Sequence, residues 1–327
     1  MVTKVFIPTG KFKGGPAVFR SRLISTFSKR DDIEIVTDIN EKFDIGLEFI
    51  RKIDKHDSPY ILRVSSCYYF RNYKPWNNKP IARSIKKAQH VIFQSKFAYK
   101  LCNRVLRLES RGLLKNGYSV IYNGIDLDYI QSIEASDRIE LGSFMACARW
   151  DPNKRLKSML AGFTEADTKK HLYVIGGFGI ESRKEDFKKY EKKYGSKYIH
   201  FLGEQNNEEI ISIMKSCAHQ IHLAFIDICP NIVIEGLSCG LNVLCTNLGG
   251  TPELVGNRGV ILKVDKFWDT KYLKRSIADL DTLQPVVVAK GICKLLNKKT
   301  NDDPPKFDIK EVSKKYVKLI KKYGERT

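Results

Sequence analysis

The feature that most restricts this chain is a rhythm. Short apolar runs alternate with stretches of helical spacing, and the alternation occurs in two successive blocks. In the first block the runs are 4–8, 33–37, 45–49, 60–64, 91–94 and 119–122. Between them, Pro16 to Ser28 sets Val18, Leu23, Ile24 and Phe27 on one helical face, and Ile81, Ile85 and Ala88 fall at i, i+4 and i+7. The second block starts near Gly142, with strands predicted at 143–148, 171–175, 199–202, 220–225 and 243–246. Helices are predicted at 156–163, 210–214 and 232–239. Near-continuous apolar strands alternating with helices require parallel sheets covered on both faces. The fold class is therefore α/β, with two Rossmann-like domains expected over 1–130 and 131–307. Apolar periodicity lapses between them, around 126–136.

Composition narrows the class further. With 327 residues, 43% of them hydrophobic, the chain can fill two cores. No pair among its eight Cys has the Cys-x-x-Cys spacing of a zinc site. The opening apolar stretch is too short for the core of a signal peptide, and no run approaches the roughly 18 residues of a spanning helix. A reduced, cytoplasmic protein is expected. The net charge of +20 is unevenly spread: 59–125 holds thirteen Lys or Arg against one acid, Glu109. Such a field attracts polyanions, acidic small molecules or an anionic membrane surface. Tyr68, Tyr69, Phe70, Tyr73 and Trp76 lie within it. Interleaved basic and aromatic residues suit single-stranded nucleic acid, or a platform for an acidic sugar acceptor. The acceptor or a membrane surface is preferred, and nucleic acid is not expected.

Two segments carry candidate chemistry. In Asp227-Ile-Cys-Pro-Asn-Ile-Val-Ile-Glu235-Gly, a strand gives way to a turn and then to a helix opening at Pro230-Asn231. Pro suits a first helical turn. The helix start offers backbone N–H groups to a phosphate, with the Asp227 and Glu235 carboxylates available to sugar hydroxyls; an ordinary strand–helix turn would read the same way. In Arg149-Trp-Asp-Pro-Asn-Lys154, two cations follow the first strand of the second block. They can clamp a diphosphate, or form a solvated basic loop. Gly14-Gly15 opens the first helix and lets backbone approach a phosphate, though Gly-Gly alone is weakly specific. The Asp-x-Asp pairs 126–128 and 279–281 read as solvated carboxylates. His219 and His222, three apart in one strand, point to opposite faces and cannot share a metal. The cysteines, Cys229, Cys239 and Cys245 among them, read as buried small residues. No Gly-x-Ser-x-Gly elbow supports a hydrolase.

Taken in order, these segments resemble the family 4 glycosyltransferases along nearly the whole chain. The matching residues are Gly14-Gly15, Asn123-Gly124-Ile125-Asp126, Arg149 with Lys154, Phe201-Leu202-Gly203, Asp227 through Gly236, and Gly249-Gly250-Thr251-Pro252-Glu253. A subgroup with Arg-Leu-Asp-Gly, Asn-Lys-Pro-Ile and Gln-Ser motifs is closer still, matched by Arg63-Val-Ser-Ser66, Asn78-Lys-Pro-Ile81 and Val91-Ile-Phe-Gln-Ser95.

The resemblance implies a GT-B fold, its two domains facing across a cleft and a C-terminal helix (308–327) returning to the first domain. That last segment is itself amphipathic, with Ile309, Val312, Tyr316, Leu319, Ile320 and Tyr323 on one face. It implies a retaining transfer of sugar from a nucleotide-diphosphate donor to a glycan, lipid-linked or other hydroxyl acceptor, with no cofactor and no metal. Arg149 and Lys154 would neutralise the leaving diphosphate, and Asp227 would hold a hydroxyl of the transferred sugar. Gly14, Gly15, Leu202, Asn231, Ile232 and Glu235 would complete the donor site, Glu235 at the ribose. Arg63, Ser65 and Tyr68 would lie on the acceptor side. The sequence departs from the pattern where Asp227 replaces a Glu, one methylene shorter, and where Ser65 and Ser66 replace Asp and Gly. A nucleotide-sugar epimerase of the same fold, or an inactive polyanion-binding relative, are the alternatives.

Overall fold

A computed structural model of the chain describes residues 2–9, 14–53, 56–69, 75–177, 184–263, 282–298 and 306–325. The chain divides into two compact units, Met1–Asp126 with Lys306–Thr327, and Leu127–Pro305.

The first unit is built on six strands, β1 (Thr3–Phe6), β2 (Ile33–Val36), β3 (Ile45–Phe49), β4 (Tyr60–Val64), β5 (His90–Phe93) and β6 (Tyr118–Val120). Every pairing is parallel and the order is β2-β1-β3-β4-β5-β6. Helices α1 (Gly15–Phe27), α2 (Lys79–Lys87) and α3 (Lys96–Leu106) connect the strands. β3 and β4 are buried at every position, as central parallel strands must be when both faces are covered. Ser95 caps α3 by accepting from the Ala98 N–H at 3.0 Å.

The C-terminal helix, Ile309–Gly324, belongs to this unit. Its Ile309, Val312, Tyr316, Val317, Ile320 and Tyr323 pack into one core with Val5, Phe19, Phe27 and Ile45. Backbone bonds from Ile125 N–H to the Phe307 carbonyl (2.8 Å) and from Ile309 N–H to the Ile125 carbonyl (2.7 Å) stitch its entry to the strand ends. The Gly in Asn123-Gly124-Ile125-Asp126 has a spatial cause, because a Cβ at Gly124 would stand 2.8 Å from the Ile309 Cα.

In the second unit, α4 (Leu127–Ser132) precedes β7 (Ser143–Cys147), β8 (Leu172–Ile175), β9 (Ile199–Gly203), β10 (Cys217–His222), β11 (Asn242–Thr246) and β12 (Gly259–Leu262). The connecting helices are α5 (Leu156–Ala166), α6 (Lys184–Tyr194), α7 (Asn207–Ser216), α8 (Asn231–Ser238) and α9 (Thr251–Val255). A further helix, α10 (Pro285–Leu296), packs on α5 and the sheet, and the C-terminal helix of the first unit is then α11. The sheet order is β12-β11-β10-β7-β8-β9, again all parallel. Counted within the unit, this is the doubly wound order 3-2-1-4-5-6. The order in which strands are added across the sheet therefore reverses between β7 and β10, which leaves a crevice beyond their carboxyl ends.

Several element boundaries differ from the sequence expectation by one to three residues. β10 lies at Cys217–His222, where 220–225 was expected, because Leu223, Ala224 and Phe225 stay apolar and buried after the ladder ends. β6 starts one residue earlier than expected and ends two earlier. The stretch with lapsed periodicity holds the short helix α4, whose one buried side chain is Ile130.

Candidate functional site

The second unit gathers the predicted cationic and acidic residues at its strand reversal. After β7 the chain runs through Ala148, exposed Arg149 and buried Trp150 into a 3₁₀ turn, Pro152–Lys154. After β10 it runs through Leu223 to Asp227 and then into α8. Asn153 joins the two segments. Its side chain donates to the Ile226 carbonyl (3.0 Å) and accepts from the Ile226 N–H (3.0 Å), while its carbonyl accepts from the Phe225 N–H (2.7 Å). Arg155, with φ 55, is buried with its guanidinium 5.1 Å from the Phe225 ring centre. Trp150 braces the other side, its Nε1 donating to the Ile175 carbonyl at 3.0 Å.

These braces bring Lys154 and Asp227, 73 residues apart, into an ion pair of 2.6 Å. The two side chains keep about a fifth of their surface exposed, 19% and 23%. A third group stands at the pair: His222 Nε2 lies 3.4 Å from the same Asp227 oxygen, with the histidine side chain only 5% exposed. Burial alone would raise the Asp227 carboxyl, but the Lys154 charge and the neighbouring His222 overcome it and hold the group well below the usual carboxylate range. Burial opposes the Lys154 charge too, and Asp227 more than restores it. Burial lowers His222 and leaves it neutral near pH 7. The arrangement is an ionised acid and a charged amine beside a neutral imidazole.

The Gly-Gly-Thr-Pro-Glu segment supports this geometry from below. Gly249 takes φ +73, and a Cβ there would stand 2.4 Å from the Asp227 carbonyl oxygen. The Gly250 N–H donates to that carbonyl at 2.7 Å. Glycine is needed for both the conformation and the approach.

α8 opens at Asn231 after Pro230, with no side chain capping its start. Its first turn therefore presents the positive end of the helix dipole to the same crevice, a place suited to an anion. Asn231 and Ile232 are half-buried there, and Glu235 is buried one turn on. Burial first, and then the Glu235 charge, push the Cys147 thiol up to about 12, so Glu235 sits electrostatically close to the end of β7. Arg149 sits close enough to Lys154 to oppose its charge. Leu202 lies in the edge strand β9 and packs, half-buried, on the same apolar cluster as Cys147 and Ile232.

In the first unit, Gly14 is the N-cap of α1 with φ 69, and Gly15 is its first residue. The adjoining residues 10–13 of that glycine loop fall outside the described part of the chain. Arg63 is completely buried. Its guanidinium donates to Gln94 Oε1 (2.8 Å), to Ser65 Oγ (3.3 Å) and to Asn123 Oδ1. It also lies 4.3 Å from the Phe19 ring centre. Arg63, Gln94 and Asn123 follow or end β4, β5 and β6, so this network ties three strand ends together. Ser65 is buried in that network, and Tyr68 is exposed, its backbone held by Asn78 through two bonds of 2.9 and 2.8 Å.

The remaining candidates resolve simply. Asp126 is half-buried, Asp128 lies exposed in the first turn of α4, and 279–281 falls outside the described residues, as do Phe70 and Tyr73. Cys229 and Cys245 are buried, whereas Cys239 is half-buried and Cys293 exposed, a correction to the uniform burial expected. Among the described residues, no group of three or more His, Cys, Asp or Glu side chains is placed to hold a metal ion, and no helix is long and apolar enough to cross a membrane. Asn153 was not singled out from the sequence, and His222 was weighed there only as a metal ligand. The signal available for Asn153 was its place directly before Lys154; for His222 it was its position in the strand that leads to Asp227.

The family described as Glycosyl transferases group 1 matches residues 143–283, the segment that carries β7, β10, α8 and the Lys154–Asp227 pair. The uncharacterized glycosyltransferase MJ1178 of Methanocaldococcus jannaschii is 24% identical over 161 residues, which cover 48% of this chain and 43% of that protein. Among solved structures, HepE of Anabaena in complex with UDP aligns over 98% of this chain and 100% of its own, with a TM-score of 0.67 at 13% identity. Sucrose-phosphate synthase of Thermosynechococcus elongatus aligns over 99% and 100%, with a TM-score of 0.66 at 11% identity. The fold is GT-B.

Proposed function

We propose that this protein is a retaining, metal-independent glycosyltransferase that moves a sugar from a nucleotide-diphosphate donor to a hydroxyl acceptor. The observation that carries the reading is the Lys154–Asp227 pair, held by Asn153 at the strand reversal beside the start of α8. A diphosphate leaving group develops negative charge as the glycosidic bond breaks, and Lys154, Arg149 and the N-terminus of α8 form a cationic cradle for it. Asp227 and Glu235 flank that cradle with acceptors for hydroxyls of the sugar and the ribose. HepE was solved with UDP and with UDP-glucose, which supports a nucleotide sugar as the donor here. The excess of Lys and Arg over 59–125 favours an acidic or lipid-linked acceptor, and a peripheral contact with an anionic membrane surface.

The test is transfer of labelled sugar from UDP-, GDP- and ADP-sugars to a panel of glycan and lipid-linked acceptors, with and without EDTA. Transfer that persists in chelator, yields the donor's anomeric configuration and falls about 100- to 1,000-fold in Lys154→Ala is expected. Chelator-sensitive transfer would overturn the metal-independent part. Interconversion of free nucleotide sugars without transfer would point instead to an epimerase.

A further inference from the structure

Asp227 has two cation-capable neighbours on one oxygen, and only one is engaged. Lys154 Nζ is at 2.6 Å. His222 Nε2 is at 3.4 Å, buried, and makes no hydrogen bond. A buried imidazole nitrogen left unpaired against a carboxylate is a costly arrangement unless it serves another state of the site. The proposed function supplies that state. If Lys154 turns to a donor diphosphate, the largely buried Asp227 carboxylate loses its counter-charge, and the nearest group able to replace it is His222.

We infer that His222 is a positioning residue that takes up a proton when a nucleotide-diphosphate sugar binds, replacing Lys154 as the partner of Asp227. The inference rests on the donor reading above. The balance is simple: Lys154 exchanges a carboxylate for a phosphate at constant charge, one proton moves from solvent to His222, and Asp227 stays ionised throughout. No bond to carbon or phosphorus changes.

The other groups around His222 cannot supply the charge. On neighbouring β11 its register partner is Cys245, and on the β7 side of the same small cavity lies Cys147; both thiols are pushed up to about 12, burial being the first cause, and stay neutral. Arg149 and Asp151, on the loop after β7, act on Lys154, and Glu235 on α8 acts on Cys147. Lys154 and Asp227 are the charged groups that act on His222 itself. The sign follows. Loss of the nearby ammonium raises the imidazole pKa, so binding takes up protons between the free and bound values, and affinity falls as pH rises through that window.

Two measurements test this, and they fail separately. The first is calorimetric titration with UDP-glucose, GDP-mannose and ADP-glucose in buffers of different ionisation heat. The diphosphate of these probes is esterified at both ends and does not titrate near neutrality. Wild type should take up as much as about one proton per ligand bound, with affinity falling up to about tenfold per pH unit within the window. Uptake should vanish in His222→Asn and in Asp227→Asn. Binding without proton uptake would overturn the role of His222 and leave the donor site standing, whereas no binding by any probe would overturn the donor reading and this inference with it. The second needs no ligand. In Lys154→Met, the His222 resonance, assigned by its loss in His222→Asn, should titrate at least about one pH unit higher than in wild type. An unchanged midpoint would overturn the exchange of partners.

Discussion

The two units set a cation at the end of a parallel sheet in opposite ways. In the first, Arg63 at the end of β4 is completely buried and surrounded by neutral acceptors, Ser65, Gln94 and Asn123. In the second, Lys154 after β7 keeps a fifth of its surface exposed and faces a carboxylate. Arg suits the first setting because its planar fork can serve several oxygens at once, and Lys suits the second because a flexible point charge can change partners. The contrast teaches that a cation in a family motif is not by itself a ligand contact. Burial and the charge of its partners separate a brace from a binding group.

Variants sharpen the contrast, and the largest effect belongs to the brace. Arg63→Met removes the donors that satisfy three buried side chains and should destabilise the protein by about 3 kcal/mol or more in urea unfolding. A loss below about 1 kcal/mol would show that Gln94 and Asn123 find other partners, and the brace would lose its standing. Acid comes next and acts on both units, since burial also lowers His90 in β5. His219 in β10 is buried beside Phe144, and burial, with Lys170 second, lowers it to about 4. Its folded value lies below its unfolded one. The stability it contributes is therefore complete above about pH 6.5 and drains away as pH falls toward 4, by about 2–3 kcal/mol. The Arg63 network holds no group that titrates in this range. Melts between pH 7.5 and 4 should show the decline in wild type and a smaller one in His219→Phe; equal declines would place the acid sensitivity elsewhere.

Asn153→Ala comes third. It leaves the Ile226 amide and carbonyl without their side-chain partner and should cost about 1–3 kcal/mol, with weaker nucleotide binding because the two loops part. Unchanged binding would mean that Phe225 and Arg155 hold the loops unaided. The smallest effect is expected at Lys314, whose 2.5 Å pair with Glu311 on α11 is exposed on both sides, 63% and 62%. Lys314→Ala should change stability by less than about 0.5 kcal/mol, and a larger loss would show that exposure is a poor guide here.

Much of the architecture was legible because it repeats a simple pattern. Runs such as Ile45–Phe49 and Tyr60–Val64 are apolar enough to be central parallel strands, and the amphipathic last segment reads most simply as a packed helix. Elements that break the pattern were harder to see. The α6 sequence Lys-Glu-Asp-Phe-Lys-Lys-Tyr carries too much charge to announce a packed face, and α10 begins with three consecutive valines that suit a strand as well as a helix. At the site, residue types could nominate Lys154 and Asp227 separately. Their ion pair could not be foreseen, since it depends on a strand order that sets β7 beside β10. The place of His222 beside Asp227 depends on where β10 stops, which apolar Leu223–Phe225 concealed. The setting of Arg63 was hidden for a related reason: a strand-end cation reads the same whether it faces solvent or three buried oxygens.

The most direct test of the central claim is thermal unfolding of wild type and Lys154→Ala against UDP, GDP, ADP, dTDP and their sugars, with EDTA present and a short RNA as control. A ligand at 100 times its dissociation constant stabilises by about 2.7 kcal/mol, a rise of several degrees for units of this size. The account predicts that one nucleotide raises the wild-type midpoint by that amount and leaves Lys154→Ala unmoved. An equal rise in Lys154→Ala, or a rise with RNA alone, would contradict it.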